Sequence, residues 1–172
     1  MALLGPPAAD RLDADTAALL DAGAAPHAHF NAVREIFAHF PAALKALDNQ
    51  YDLMIGQGGL PRWLREAIFA NASHARGDEY LADAMIGQVA DHRDCTVEAA
   101  RAMVTEGSDL SAAEASLLTW TRKMALTPYK SVERDAETLH EAGWTNHDIV
   151  EALTIVSLSA YMNIMSLTLE LP

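Results

Sequence analysis

Residues 60–85 read LPRWLREAIFANASHARGDEYLADAM, and this stretch decides the fold. Its apolar residues recur every three or four positions, which is the spacing of an amphipathic helix. Pro61 suits the start of such a helix, and Arg76-Gly77 suits its end. Asp78 is a typical N-cap residue and indicates the start of a second helix. The stretch therefore predicts two consecutive helices joined by a very short turn.

The rest of the 172-residue chain has the same helical spacing, without the period-two alternation of strands. Asn31 is a candidate N-cap, and Ser111 with Glu114 has the capping-box pattern. Further helices are predicted over residues 13–22, 32–40, 41–53, from 94 or 96 to 107, 115–126, 131–143 and from 145 or 146 to the C-terminus. We expect an all-α bundle, with residues 1–30 as an N-terminal extension carrying a short helix and residues 31–172 as one helical domain.

The opening stretch resembles the core of the alkylhydroperoxidase D-like (AhpD-like) proteins of the carboxymuconolactone decarboxylase superfamily. Within them it is most similar to the peroxidase-related branch. The family pattern is Leu-Pro-x-x-Leu-Arg-Glu on one helix, then Gly-Cys-x-Tyr-Cys-x-x-x-His. Glu66, Gly77 and Tyr80 hold their places in that pattern. The resemblance implies an AhpD-like helical bundle that forms homo-oligomers, either trimers or hexamers.

The sulfur atoms of the family pattern are missing from this sequence. Asp78 and Leu81 stand where the two cysteines should be, and Met85 stands where the histidine should be. The resemblance implies that the cysteines cycle between dithiol and disulfide, while the glutamate and histidine relay a proton. Hydroperoxide reduction needs a thiolate nucleophile, and neither replacement supplies one. We therefore predict a protein that has lost the redox dithiol and has no thiol peroxidase activity of its own.

Glu66, Asp78 and Tyr80 are the candidate catalytic residues. If the family geometry holds, both carboxylates enter one pocket, where like charges raise one pKa and leave an acid beside a base. Such a pair could move protons on a small carbonyl substrate, assisted by Tyr80 or His74. The structural alternative is that Asp78 only caps a helix. Glu66 in turn could simply form an ion pair with a nearby arginine, either Arg62 or Arg65.

The former thiol pocket is expected to be apolar, because Leu81 and Met85 lie four residues apart on one helix face. An apolar cavity edged by the candidate residues would admit a small hydrophobic acid or lactone as a ligand. No cofactor and no metal are expected. His27-x-His29 is interpreted as a solvated pair in a loop, and Cys95 as an inert thiol, since a lone cysteine cannot form a disulfide within the chain.

Twelve Lys and Arg face 24 Asp and Glu, so the formal net charge is −12. Such a charge repels phosphate backbones and anionic lipid, which argues against nucleic-acid and membrane partners. Residues 149–171 are long and apolar enough to span a bilayer, but many Ser, Thr and Asn residues favour a buried helix. With no secretory signal pattern at the start, the expected location is the cytoplasm.

Three functions remain open at this point. The first is the AhpD-like protein without its dithiol. The second is a cysteine-independent acid–base enzyme of the carboxymuconolactone decarboxylase type, since those enzymes use no cysteine pair. The third is an oligomer that binds a small ligand without catalysis.

Overall fold

The all-α architecture is confirmed by the computed structural model, which describes residues 3–23 and 27–171 and contains no β-strand within them. The helices, in chain order, are α1 (Ala14–Gly23), α2 (Asn31–Phe37), α3 (Pro41–Tyr51), α4 (Arg62–Ala75), α5 (Glu79–Arg93), α6 (Val97–Glu106), α7 (Ala112–Leu126), α8 (Glu133–Glu141) and α9 (Asn146–Thr168). A π-helical segment, Asp52–Gly56, follows α3 directly. Short 3-10 turns cover Ala9–Arg11, Ala28–Phe30 and Pro128–Lys130.

Four of the predicted helix starts are confirmed by their caps. Asp78, Thr96, Ser111 and Thr145 each accept a hydrogen bond from a backbone N–H in the first turn of α5, α6, α7 and α9. The predicted cap at Asn31 is wrong, because Asn31 is itself the first residue of α2 and no side chain caps that helix.

Two helices are shorter than predicted. α2 ends at Phe37, four residues before Pro41, and Phe40 has left the helical region with φ −136° and ψ 82°. Proline disfavours a helical conformation in the residue before it, so the chain turns here. α8 begins at Glu133 because Val132 is still extended.

Helix α4 lies at the centre of the molecule. Every residue from Leu64 to Ser73 is buried, and α4 packs against α5, α6, α7 and α9. α4 and α5 form a hairpin whose turn passes through Gly77 with φ 80°, a left-handed conformation that glycine adopts without strain. The predicted pair of consecutive helices is therefore the core of the fold.

The N-terminal helix α1 is held to the domain by Arg34, whose side chain is fully buried. Its guanidinium donates to both carboxylate oxygens of Asp48, at 2.8 and 2.9 Å. It also donates to the carbonyl oxygens of Leu19 and Leu20 at the end of α1, at 2.9 and 3.3 Å. One side chain thus ties α1, α2 and α3 together.

Helix α9 joins the hairpin through buried polar groups. Asn163 Nδ2 donates to Asp78 Oδ2 at 2.9 Å and to Ser73 Oγ at 3.0 Å. Ser166 Oγ donates to Asp78 Oδ1 at 3.2 Å, and Ser159 Oγ lies 3.1 Å from Ser73 Oγ. These contacts explain why α9 carries Ser and Asn within an apolar sequence. In the described residues, α9 is the helix long and apolar enough to cross a bilayer, and 44% of its most apolar window is buried inside the protein.

Candidate functional site

Glu66 is the most deeply buried carboxylate among the predicted site residues, with no exposed surface. It lies on α4, where Arg62 Nε one turn earlier donates to its Oε1 at 3.0 Å. His92 Nδ1, near the end of α5, lies 2.9 Å from Oε2. Burial raises the pKa of Glu66, while Arg62 and His92 oppose that rise. The predicted ion pair with Arg62 is confirmed, and His92 is a second partner that sequence reasoning did not identify.

A buried tyrosine and histidine form a second polar group. The Tyr51 hydroxyl lies 2.8 Å from His29 Nε2 and donates to Met85 Sδ at 3.6 Å. Burial, and then the negative charge of Glu66, raises the pKa of Tyr51, so its hydroxyl keeps its proton. Burial lowers the pKa of His29 to about 4, so the imidazole is neutral near pH 7.

The interpretation of His27 and His29 as a solvated pair is wrong. His27 is buried, its ring centroid lying 5.4 Å from that of Phe30 and 5.3 Å from that of Tyr51. The 3-10 turn at Ala28–Phe30 folds both imidazoles against α3, which periodicity alone could not indicate. Within residues 3–23 and 27–171, no group of three or more His, Cys, Asp or Glu side chains is arranged to hold a metal ion.

Asp78 is built into the fold by three hydrogen bonds. Besides the two from α9, its Oδ1 accepts the backbone N–H of Leu81 at 3.1 Å, which confirms the predicted N-cap. Its side chain is buried, and all three partners are neutral donors. Its structural role is therefore fully explained by these contacts.

The structure does not bring Glu66 and Asp78 together. Glu66 lies beside the C-terminal end of α5, where it contacts His92. Asp78 lies at the other end, before the first turn of α5. The part of α4 between Glu66 and the hairpin turn rises by roughly 14 Å at 1.5 Å per residue. Two carboxylates shift each other's pKa strongly only at close range. The predicted pocket, in which Glu66 and Asp78 would do so, is therefore not formed.

Tyr80 and His74 also lie in contacts of their own. The Tyr80 hydroxyl accepts the backbone N–H of Ala32 at 3.3 Å, which links α5 to α2. Burial raises the pKa of Tyr80. His74 Nδ1 pairs with the exposed Glu79 at 2.9 Å, near the hairpin turn. Neither side chain contacts Glu66.

Three solved structures share this architecture at low sequence identity. A peroxidase-related protein of Silicibacter sp. TM1040 has a TM-score of 0.86 and 21% identity, covering 98% of this chain and 90% of its own. An alkylhydroperoxidase AhpD core, a peroxidase-related protein of Ralstonia eutropha JMP134, has a TM-score of 0.85 and 20% identity over 99% and 91% of the two chains. The chain has the AhpD-like fold.

A third similar structure is that of the debrominase Bmp8 in complex with 2,3,4-tribromopyrrole. Its TM-score is 0.79 at 15% identity, and the match covers 99% of this chain and 90% of that one. No protein-family model and no curated protein sequence matches the chain.

In this AhpD-like fold, Leu81 and Met85 on α5 are core side chains. Leu81 and Met85 are buried together with Phe69 in the main hydrophobic cluster. An apolar cavity edged by Glu66, Asp78 and Tyr80 was expected. Where Leu81 and Met85 lie, that space is filled by side chains. The described part of the chain has five surface cavities of 350 to 550 Å³ that are not lined by Glu66, Asp78 or Tyr80.

Cys95 lies in the turn after α5 and packs partly buried against the core. Its backbone N–H donates to the carbonyl of Ala90 at 3.1 Å, closing the end of that helix. The thiol is thus at the opposite end of α5 from Asp78 and Leu81.

Glu66 and His92 are the side chains of the site best placed to take part in a reaction. The buried Glu66 carboxylate, whose pKa is raised, lies 2.9 Å from Nδ1 of the partly exposed His92 imidazole, and that nitrogen also lies 2.9 Å from the Gln88 carbonyl oxygen. The i,i+4 spacing of Arg62 and Glu66 could be read from the sequence. Glu66 and His92 are 26 positions apart in the sequence, so the second contact could not be read from it; the α4–α5 hairpin creates it.

Proposed function

We propose that this chain descends from the peroxidase-related AhpD-like proteins and has lost the redox dithiol together with thiol peroxidase activity. One observation carries the proposal. At the two cysteine positions of the family pattern, the Asp78 carboxylate accepts three hydrogen bonds and Leu81 lies in the core. Both replacements serve the packing of the bundle.

The chemistry of peroxide reduction supports this proposal. A thiolate attacks one peroxide oxygen, the O–O bond breaks, and a second thiol converts the resulting sulfenic acid into a disulfide. Cys95 is the one sulfhydryl of the chain. It has no second cysteine in the same chain to resolve a sulfenic acid, so the dithiol cycle cannot run within one copy.

The test is the reduction of tert-butyl hydroperoxide by the purified protein with dithiothreitol as reductant. We expect the wild type to match both the Cys95→Ser variant and buffer alone. Wild-type turnover above buffer alone would overturn the proposal, and its loss or survival in Cys95→Ser would show whether that thiol is the source. A gain of activity in the combined Asp78→Cys, Leu81→Cys and Met85→His variant would support descent from a dithiol peroxidase.

A second candidate function is acid–base catalysis centred on Glu66. Its support is the contact between the buried Glu66 carboxylate and the partly exposed His92, with the protonated Tyr51 hydroxyl nearby. The fold itself does not impose peroxide chemistry, since Bmp8 is a debrominase. Substrates of the expected class are small hydrophobic acids or lactones. In this candidate, Asp78 and Tyr80 position the helices and Glu66 carries the proton.

The acid–base candidate is tested by the pKa of Glu66, measured by carbon-detected NMR with Glu66→Gln to assign the resonance. A raised Glu66 pKa that rises still further when Arg62 is replaced by Ala would support the acid–base candidate. An ordinary value would leave a third candidate, a cytoplasmic homo-oligomer that binds a small hydrophobic acid without catalysis. Binding unaffected by Glu66→Gln would favour that third function.

A further inference from the structure

A cavity between helices α4, α6 and α7 has the features of a second site. It is lined by Asn71 of α4, by residues 104–106 at the end of α6, and by Thr119 and Arg122 of α7. We call it the Asn71 cavity. Its volume of about 350 Å³ is at the small end of the range for small-molecule sites. A ligand that fills it is therefore small.

Asn71 brings a buried hydrogen-bond acceptor to this cavity. The residue is 4% exposed, and its Nδ2 donates to the carbonyl oxygen of Val104 at 2.7 Å. This contact fixes the orientation of the amide, because the reverse orientation would bring two acceptor oxygens together. Within residues 3–23 and 27–171, the buried Oδ1 has no hydrogen-bond partner. A buried acceptor without a partner is costly, so a donor from outside the chain would stabilise it.

A ligand in the cavity can reach this acceptor. The χ2 torsion of asparagine is broad, so its amide turns through small angles at low cost. Asn71 already lines the cavity. A small turn presents Oδ1 to a ligand there and keeps Nδ2 within the angular range of its hydrogen bond to Val104.

The α6 side of the cavity favours a positively charged donor. α6 ends at Glu106, and Gly107 follows with φ 77°. The C-terminal end of a helix carries a partial negative charge, which attracts cations. The Glu106 carboxylate is exposed beside the same cavity and forms no ion pair or hydrogen bond in the described part of the chain. A protonated amine matches this side.

The α7 side of the cavity favours an anion. Thr119 and Arg122 lie three residues apart, so they share one face of α7. Both are exposed, and neither side chain has a hydrogen bond or an ion pair among the residues described. A guanidinium binds a carboxylate with two parallel hydrogen bonds, and a hydroxyl adds one more donor. A carboxylate matches this side.

We propose that the Asn71 cavity binds a small zwitterion, an α-amino acid with a short apolar side chain. The ammonium group of the ligand donates to Asn71 Oδ1 and lies against Glu106. Its carboxylate accepts from Arg122 and Thr119. Glu106 and Arg122 line one cavity without pairing with each other in the described structure, so both charges are available to the ligand.

The remaining wall selects the side chain of the ligand. Leu110, Ala115 and Leu118 complete the lining, and all three are apolar. They supply no partner for a polar side chain, and the volume leaves room for a short one. L-Valine is therefore the probe of choice.

The Asn71 cavity is independent of the chemistry at Glu66. Both residues lie on α4, but Glu66 contacts His92 of α5, whereas Asn71 contacts Val104 of α6. Failure of the amino-acid site would leave the proposed function unchanged.

The first test is an NMR titration of the full chain with L-valine up to about 10 mM, because a ligand of so few atoms gains limited free energy. We expect saturable shifts around Asn71 and Arg122. Isovalerate lacks the ammonium group and isobutylamine lacks the carboxylate, so each should bind at least about tenfold more weakly. Absence of L-valine binding, or equal binding of either analogue, would overturn the proposal.

The second test replaces the two charges of the cavity. Glu106→Gln and Arg122→Gln lie at exposed positions, and each should weaken L-valine binding by about tenfold or more. Glu98→Gln is the matched control, because Glu98 is exposed near the other end of α6. Its affinity for L-valine should equal that of the wild type. Unchanged binding in both cavity variants would overturn the proposal.

The third test removes the buried acceptor. Asn71→Ala should abolish L-valine binding, and circular dichroism shows whether this variant folds. A folded Asn71→Ala variant that binds L-valine like the wild type would overturn the proposal. If it does not fold, the exposed variants Glu106→Gln and Arg122→Gln decide the outcome.

Discussion

At the scale of single residues, Asp78 shows how one buried side chain can hold two helices together. Its carboxylate caps α5 and also receives two donors from α9. A buried acceptor that serves three donors is worth more than an exposed cap, because its removal leaves those donors without partners.

We predict that Asp78→Ala lowers the free energy of unfolding by about 2–4 kcal/mol, combining the loss of a cap with unsatisfied buried donors. Thr96→Ala is the matched control, since Thr96 caps α6 at an exposed position. Its cost should be about 1 kcal/mol. Urea unfolding followed by circular dichroism measures both. Equal costs for the two variants would show that the contacts to α9 add nothing.

Glu66 predicts a pH dependence with a defined sign. Its folded pKa is raised by burial, so the folded state binds the proton more tightly than the unfolded state. The stabilising effect of protonation is present below the unfolded pKa, about 4.3. It is lost as the pH rises through the folded pKa. The stability of the wild type relative to Glu66→Gln should therefore fall across that window.

The measurement is urea unfolding of both proteins from about pH 4 to pH 8, which spans the ordinary glutamate and histidine pKa values. Glu98→Gln, an exposed position on α6, is the control and should show no comparable slope. A stability difference that rises with pH would mean that Arg62 and His92 outweigh burial.

At the scale of elements, Arg34 decides whether α1 belongs to the domain. We predict that Arg34→Met costs about 3–5 kcal/mol, because it leaves the Asp48 carboxylate buried without its cation. Replacing both partners, with Arg34→Met and Asp48→Leu, should recover a large part of that loss. Thermal unfolding measures the stabilities, and limited proteolysis near Leu20 reports the release of α1. A double variant no better than Arg34→Met would contradict the prediction.

At the scale of the whole molecule, the net charge of −12 destabilises the compact state through self-repulsion. We predict that the free energy of unfolding rises as sodium chloride rises from about 20 to 500 mM, because salt screens this repulsion. Urea unfolding at several salt concentrations measures it. A free energy of unfolding that falls with salt would show that surface ion pairs outweigh the repulsion.

The sequence by itself determined the helices, most of their caps and the α4–α5 hairpin. These features depend on residues close together in the chain, such as Ser111 with Glu114 and Asp78 with the first turn of α5. The pattern of Glu66, Gly77 and Tyr80 also predicted the AhpD-like fold, which the similar structures confirm.

Only the tertiary structure decided which side chains meet. It separated Glu66 from Asp78, which nearness in sequence had placed in one pocket, and brought His92 to Glu66. It also buried His27 and directed Ser159, Asn163 and Ser166 of α9 inward. These outcomes depend on how helices dock across long sequence separations, where periodicity gives the spacing of a face but not its partner.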